Sequence, residues 1–280
     1  MPELAEVKIM GDFINYVAAR EQFFDSIEKS PVSKVKTDLN EFEGVVFKVN
    51  AKTRGKEMLI EITSMGEGIQ PKMLSVTLGM SGNFAYVRKD SEHFEKVMKH
   101  SHLRFKTVTG NYLVLHDVRR FAKWKWANDW TKGRGYCPLT EFNKFSEHLR
   151  THWYTHKAFN APINELLMNQ SLFNGIGNYL RAEILYRMNI NPFQPANQLS
   201  KMEMDSIILF CYRCCQEAYR LGGGELKDWV NPVGKEESDA KSFKEWMLCY
   251  GKGASVVDKT GRRFWYDPQW EKFIPETYKK

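Results

Sequence analysis

Near the start of the chain, apolar residues recur every three to four positions. Val7, Met10, Phe13, Ile14 and Val17 share one side of a helix over residues 2–20. Pro2 suits the first turn of that helix, where its missing N–H costs nothing. From about residue 25 to 125 the pattern changes to short strands. VVFKVNAKTRGKEMLIEI (45–62) reads as a hairpin turning at Arg54-Gly55-Lys56, and MLSVTLGMSGNFAYV (73–87) as strand, glycine-rich turn, strand. HLRFKTVTGNYLVLHDV (102–118) is a hairpin with its turn at Gly110-Asn111, and Leu113 and Leu115 lie on one side of its return strand. Several short strands with regular turn signals predict a β-sandwich. Helical spacing returns after a stretch bearing Gly133, Gly135 and Pro138. Helices are expected over 158–168, 177–188 and 201–221, the middle one ending before Asn191-Pro192. The polar, glycine-rich segment 222–242 reads as a mobile loop, and SFKEWMLCYG as a last short helix. GASVVDKTGRRFWYD reads as a two-stranded hairpin turning near Lys259-Thr260-Gly261.

The expected class is α+β with two domains. An N-terminal helix plus β-sandwich spans 1–128, a linker 129–150, a helical domain 151–242 with its loop 222–242, and a terminal hairpin and tail 243–280. A length of 280 residues exceeds one average domain, and 42% hydrophobic residues suffice for real cores. Forty-one Lys and Arg against 34 Asp and Glu leave a net charge of +7, which suits a binder of polyanions. MPELAEVKIMGDF has no basic leader or long apolar run, so a secretory signal is not expected. No stretch approaches the roughly 18–20 apolar residues of a membrane span, so no membrane partner is expected. Of the five cysteines, Cys211, Cys214 and Cys215 crowd one helical segment, while Cys137 and Cys249 stand apart. An odd number so placed reads as reduced thiols of an intracellular, non-secreted protein.

Four constellations carry candidate chemistry. Removal of Met1 before a residue as small as Pro2 exposes a secondary amine. An α-amine titrates near 8, so roughly a tenth is free base at neutral pH, enough for a Schiff-base nucleophile. Glu3 beside it is a candidate proton carrier. Alone, the pair also reads as a proline that starts a helix and an acid that suits its dipole. In QSLFNGIGNYLRAEILYRMNINPF (170–193), two glycines precede a helix, whose N-terminus and Asn178 suit a phosphate; an ordinary interhelical turn looks the same. TGRRFWY (260–266) puts Arg262 and Arg263 at a turn followed by aromatics, which fits a nucleic-acid groove or a solvated hairpin over an aromatic core. Lys56, Met80, Arg119 and Phe121 sit on separate turns of the β-rich half, as basic and wedge-like residues or as surface and core.

PELAEV, RGKE, LGMSG, DVRRF, NGIGNYLRAEILYR and CYGKG…GRRFWY occur in that order along the chain. Together they resemble the Fpg/Nei family, the formamidopyrimidine-DNA glycosylase and endonuclease VIII enzymes, over essentially the whole length. The likeness is greatest to the animal-type Nei-like glycosylases whose finger has lost its zinc, a branch that suits an animal or large-DNA-virus origin. Residues 243–280 hold one cysteine and no histidine, so four tetrahedral ligands cannot be assembled there. Phe264, Trp265, Tyr266 and Trp270 are the expected filler of the hairpin instead.

The resemblance implies a helix-two-turn-helix domain and a zincless finger. It implies a bifunctional DNA glycosylase and AP lyase acting on oxidised bases, chiefly pyrimidines and hydantoins, without metal or organic cofactor. The alternatives are a preference for 8-oxoguanine and formamidopyrimidines, or a non-catalytic binder of damaged DNA. By the same resemblance Pro2 attacks C1′, Glu3 shuttles the proton that opens the sugar, and Glu6 is a supporting acid. Lys56, Asn178 and Arg262 hold phosphates, Lys56 also serving catalysis, with Arg120 a further phosphate contact. Met80, Arg119 and Phe121 fill the void left by the everted nucleotide and address the orphaned base. Thr77 departs from the His that many bacterial members carry before LGMSG. The expected partner is damaged DNA, in double-stranded, single-stranded or bubble form. The expected protein is a monomer, nuclear in a eukaryote and in the host cell for a virus.

Overall fold

The computed structural model describes residues 2–224 and 242–278. The described chain falls into two compact units. One comprises Pro2, Glu6–Thr131 and Gly224; the other comprises Glu3–Ala5, Lys132–Gly223 and residues 242–278.

The first unit is built on helix α1 (Leu4–Glu21) from its residue 6 onward, with strands β1 (Phe24–Lys29), β2 (Phe47–Arg54), β3 (Glu57–Ser64), β4 (Lys72–Thr77) and β5 (Asn83–Val87). The short helix α2 (Phe94–Met98) follows, then β6 (Ser101–Thr107), β7 (Tyr112–His116) and β8 (Lys123–Ala127). The strand order is β5-β7-β6-β1-β2-β3-β4-β8, but β1 and β2 share a single residue pair, Phe24 with Phe47. The sheet turns at that corner into two four-stranded layers. Both layers line one core: Phe84, Leu103, Phe105, Leu113 and Leu115 from one, Ile60, Leu74, Val76 and Trp124 from the other. Val7, Met10, Phe13, Ile14 and Val17 of α1 join it, as the helical spacing predicts. Strand β2 alternates buried Phe47, Val49 and Ala51 with exposed Lys48, Asn50 and Lys52, the pattern of a strand with one wet face. The sandwich and its hairpin turns match the sequence expectation. Strand β8 extends it: KWKWA pairs with β4 over Met73↔Ala127 to Thr77↔Lys123.

The second unit is helical. Helix α3 (Phe142–His152) occupies residues expected to be linker; its Phe145 and Leu149 are buried in the unit's core, and apolar burial outweighs the glycine and proline signals upstream. The helix expected over 158–168 is broken. A 3₁₀ turn, Lys157–Asn160, precedes a single-turn helix α4 (Ile163–Leu166), because Pro162 disfavours helical backbone at Ala161. Two tight turns lead into α5 (Asn178–Arg187), and α6 (Lys201–Arg220) follows, started by a Ser200/Glu203 capping box. The last helix, α7 (Phe243–Trp246), is shorter than expected, and the same capping box, Ser242 with Glu245, starts it. The terminal hairpin pairs β9 (Ala254–Val257) with β10 (Arg263–Tyr266). The expected mobile loop 222–242 lies outside the described residues over 225–241.

Among the described residues no helix is long and apolar enough to cross a membrane. Nor does any group of three or more His, Cys, Asp or Glu stand ready to hold a metal ion among them. The finger hairpin is packed into the core of its unit. Phe264 and Tyr266 are buried and meet the ring of Phe193 edge-on at 6.1 and 5.2 Å. The fully buried carboxylate of Glu183 accepts the N–H groups of Leu248 at 2.9 Å and of Cys249 and Tyr250 at 2.8 Å. Phe264 and Tyr266 act as the aromatic filler expected from the sequence, with Trp265 and Trp270 packed at the edge of the core.

Candidate active site

In the second unit the expected residues gather around the start of α5. Gly177 caps that helix with no side chain of its own, and the carboxylate of Glu3 takes its place. Glu3 Oε1 accepts the N–H of Tyr179 at 2.9 Å and Oε2 that of Leu180 at 3.3 Å. Two orphan donors of the helix terminus are thereby satisfied, and the positive end of the helix dipole stabilises the negative charge. Glu3 is 2% exposed, so this charge is held away from water. The fit depends on Gly177: a Cβ there would stand 2.2 Å from Glu3 Cδ. The next residue is tied down as well, Leu4 N–H donating to the Gly175 carbonyl at 3.2 Å. Pro2, the candidate nucleophile, is buried immediately before this anchored pair.

Asn178 opens α5 and reaches the finger: Nδ2 donates to the Arg263 carbonyl at 2.8 Å. Its neighbour along the finger, Arg262, is exposed at the hairpin turn. That turn is organised by Asp258, whose Oδ1 accepts from the Thr260 N–H at 2.9 Å, the Thr260 hydroxyl at 2.6 Å and the Arg262 N–H at 3.0 Å. Burial pushes the Asp258 carboxyl up, but the Thr260 hydroxyl, the Arg262 N–H and the Arg181 guanidinium outweigh it and leave it below its ordinary value. The fold thus brings Glu3, Asn178 and Arg262 together around one helix terminus. Arg181, Glu183 and Asp258 were not singled out by the sequence; in NYLRAEILYR both α5 charges look like ordinary helix-surface residues.

In the first unit Lys56 sits half-buried in the two-residue turn between β2 and β3. Two further turns, carrying Met80 and Arg119–Phe121, are brought into contact. Asp117, fully buried, ties them: Oδ1 accepts from the Ser81 hydroxyl and the Arg119 N–H, Oδ2 from the N–H groups of Phe121 at 2.6 Å and Ala122 at 2.7 Å. Gly79, with φ of 64°, lies so close that a Cβ would stand 2.7 Å from the Phe121 carbonyl carbon. Yet Met80 is 43% and Phe121 44% exposed. Neither is a core residue. The Arg119 guanidinium lies 4.7 Å from the centre of the Phe121 ring, a stacked pair facing outward. Arg120 is exposed with φ of 58°, a backbone region that non-glycine residues seldom occupy. Glu6 is buried and accepts the Gly224 N–H at 2.8 Å.

An anchored acid after a proline, a glycine-capped helix and a hairpin finger are the parts of a known class of DNA-repair enzyme. The N-terminal domain of formamidopyrimidine-DNA glycosylase matches residues 1–124, and the H2TH domain of the same glycosylase matches residues 139–229. The chain belongs to this family, the Fpg/Nei enzymes of base-excision repair, which are DNA glycosylases with AP lyase activity. It is 34% identical to Endonuclease 8-like 1 of Homo sapiens, a match that covers 95% of this chain and 72% of the relative. It is 28% identical to the formamidopyrimidine-DNA glycosylase of Acinetobacter baylyi, over 91% of this chain and 89% of that protein. Among solved structures, the wild-type Lactococcus lactis Fpg in complex with oxidised-pyrimidine DNA shares the fold with a TM-score of 0.72 at 23% identity, covering 96% of this chain and 99% of the other.

Proposed function

We propose that this glycosylase removes oxidised bases, chiefly pyrimidines and hydantoins, from damaged DNA through a covalent intermediate on Pro2. After Met1 is removed, the Pro2 nitrogen attacks C1′ of the lesion, the glycosidic bond breaks and the base leaves with a proton. The sugar ring opens to an iminium on Pro2. Loss of the C2′ proton expels the 3′ phosphate, and a second elimination expels the 5′ phosphate. The iminium is the electron sink, so the step needs no redox partner. Glu3 carries the proton at the opening sugar, with Glu6 a supporting acid. Lys56, Asn178, Arg262 and Arg120 hold the backbone phosphates. Met80, Arg119 and Phe121 occupy the space of the everted nucleotide.

The observation that carries this reading is the clamp on Glu3. Two helix N–H groups hold its carboxylate and Gly177 leaves no slack, so the residue next to the attacking amine is preorganised. The pyrimidine preference rests on the resemblance of the sequence to the Nei-like branch; among the structural relatives one complex holds an oxidised-pyrimidine DNA and another an 8-oxo-G DNA, which makes the choice of lesion the point to test.

The test is borohydride trapping on duplexes carrying one thymine glycol, one hydantoin or one 8-oxoguanine. Protein whose Met1 is removed should crosslink to the first two faster than to the third. Protein proven by mass spectrometry to retain Met1 should not crosslink. Full activity with Met1 in place defeats the Pro2 mechanism, and faster trapping on 8-oxoguanine defeats the substrate class.

A further inference from the structure

We propose that Arg181 is the positioning residue for DNA phosphate binding: its guanidinium decides which end of the Asn178 amide faces outward and holds the carboxylate that sets the backbone at Arg262. The inference rests on the reading of Asn178 and Arg262 as phosphate contacts.

Arg181 is 0% exposed and lies beneath the turn, where it cannot touch DNA itself. Each of its three nitrogens donates to a fixed acceptor. Nε and Nη2 both point at Asn178 Oδ1, at 3.1 and 2.7 Å. Nη2 also reaches Asp258 Oδ2 at 3.0 Å, and Nη1 the Asn164 carbonyl at 3.3 Å. The Phe264 ring supports the plane, 4.7 Å from the guanidinium carbon.

The consequence for Asn178 follows from amide chemistry. An amide has an acceptor end and a donor end, and which faces a ligand is set by its fixed neighbours. Here the oxygen is turned toward a buried cation. The NH₂ group gives one hydrogen to the Arg263 carbonyl and keeps a second. The end left over is a donor, the polarity an anion requires. A flipped amide would set its oxygen against that carbonyl and its NH₂ against the guanidinium, repulsive on both sides. The consequence for Arg262 runs through Asp258. One carboxylate oxygen is held by Arg181, while the other gathers the Thr260 and Arg262 N–H groups and so fixes the turn from which Arg262 extends. Lysine cannot replace this function, because a point charge lacks the planar fork that spans both partners.

The experiment measures binding to a duplex containing a tetrahydrofuran abasic analogue, together with its salt slope, single-turnover excision at saturating lesion DNA, and melting temperature. Asn178→Ala and Arg262→Ala should each weaken binding and lower the slope by about 1. Arg181→Lys should weaken binding by about tenfold while the saturating excision rate of the folded protein changes by less than about threefold. In an Asn178→Ala/Arg262→Ala background, Arg181→Lys should add less than about twofold, because the contacts it positions are already gone. Asn178→Asp keeps the partner of Arg181 but turns an acceptor outward. It should bind DNA at least as poorly as Asn178→Ala while still melting cooperatively above the assay temperature, and it serves if Arg181→Lys does not fold. Wild-type binding by folded Arg181→Lys or by Asn178→Asp overturns the proposal, as does an Arg181→Lys effect undiminished in the double background. If Asn178→Ala and Arg262→Ala leave binding unchanged, the phosphate reading itself is wrong and this proposal falls with it.

Discussion

Replacing Gly177 with alanine tests the centre of the site with a single methyl group. The backbone at Gly177, φ −133° and ψ −155°, is open to any residue, so the substitution acts through its Cβ alone. That atom would lie 2.2 Å from Glu3 Cδ and 2.5 and 2.6 Å from its oxygens. Carbon atoms settle at about 3.5–4.0 Å, so the carboxylate must retreat by roughly 1.3 Å or more. It cannot do so and keep both bonds, at 2.9 and 3.3 Å, to Tyr179 and Leu180. Overpacking costs about 1–3 kcal/mol, and a hydrogen bond to a charged group is worth about 1.5–3 kcal/mol. Gly→Ala recovers about 0.4–1 kcal/mol from the unfolded chain. A net loss of about 1.5–5.5 kcal/mol is expected, or roughly 3–20 °C in melting temperature. Displacing a reacting group by about 1 Å can cost on the order of 100-fold in rate, so single-turnover base excision should fall by that order. Calorimetry and a quenched-flow excision assay measure the two effects. The control is the same substitution in a Glu3→Ala background, where the clash is gone and the stability penalty should vanish. A Gly177→Ala protein with wild-type melting and excision refutes the reasoning, and so does a penalty that persists without Glu3.

Three further outcomes are expected. Phe121→Ala and Met80→Ala should melt within about 0.5 kcal/mol of wild type, since both side chains lie at the surface and neither belongs to the core. They should slow base removal from duplex DNA more than strand cleavage at a preformed abasic site, where no base is extruded; equal losses on both substrates exclude the wedge role. Asp117→Asn puts an NH₂ group where a carboxylate oxygen now accepts backbone or hydroxyl donors, and it should reproduce the Phe121→Ala selectivity with a loss of about 1–3 kcal/mol in stability, measured by denaturant unfolding. Burial pushes the Cys214 and Cys249 thiols up to about 12. Their contribution to stability is therefore complete below the ordinary thiol value of about 8.5 and is lost as pH rises from there toward 12. Both should resist a thiol-labelling disulfide reagent at pH 8, and rapid labelling of the native protein at that pH contradicts the burial.

What the sequence determined by itself was whatever depends on neighbours in the chain. The alternation of β2, the turn at Gly55-Lys56 and the helical stripe of α1 are local periodicities, legible without a fold. So were the chemical types at Pro2, Glu3, Asn178 and Arg262, because an ordered set of short motifs carries them. Some local signals were present and unread: KWKWA alternates with period two, Pro162 breaks a helix, and the Ser-x-x-Glu boxes at Ser200 and Ser242 announce helix starts. Tertiary structure alone decided which charges are buried and against what. Arg181 and Asp258 are 77 residues apart, and Glu3 stands 176 residues from Tyr179. On a lone α5, Arg181 and Glu183 would point to water at little cost. Once the finger covers that helix they lose water, and each must find directed partners to offset the desolvation. That requirement, which no local pattern encodes, turns two ordinary helix charges into the frame that holds Asn178, Arg262 and the base of the finger.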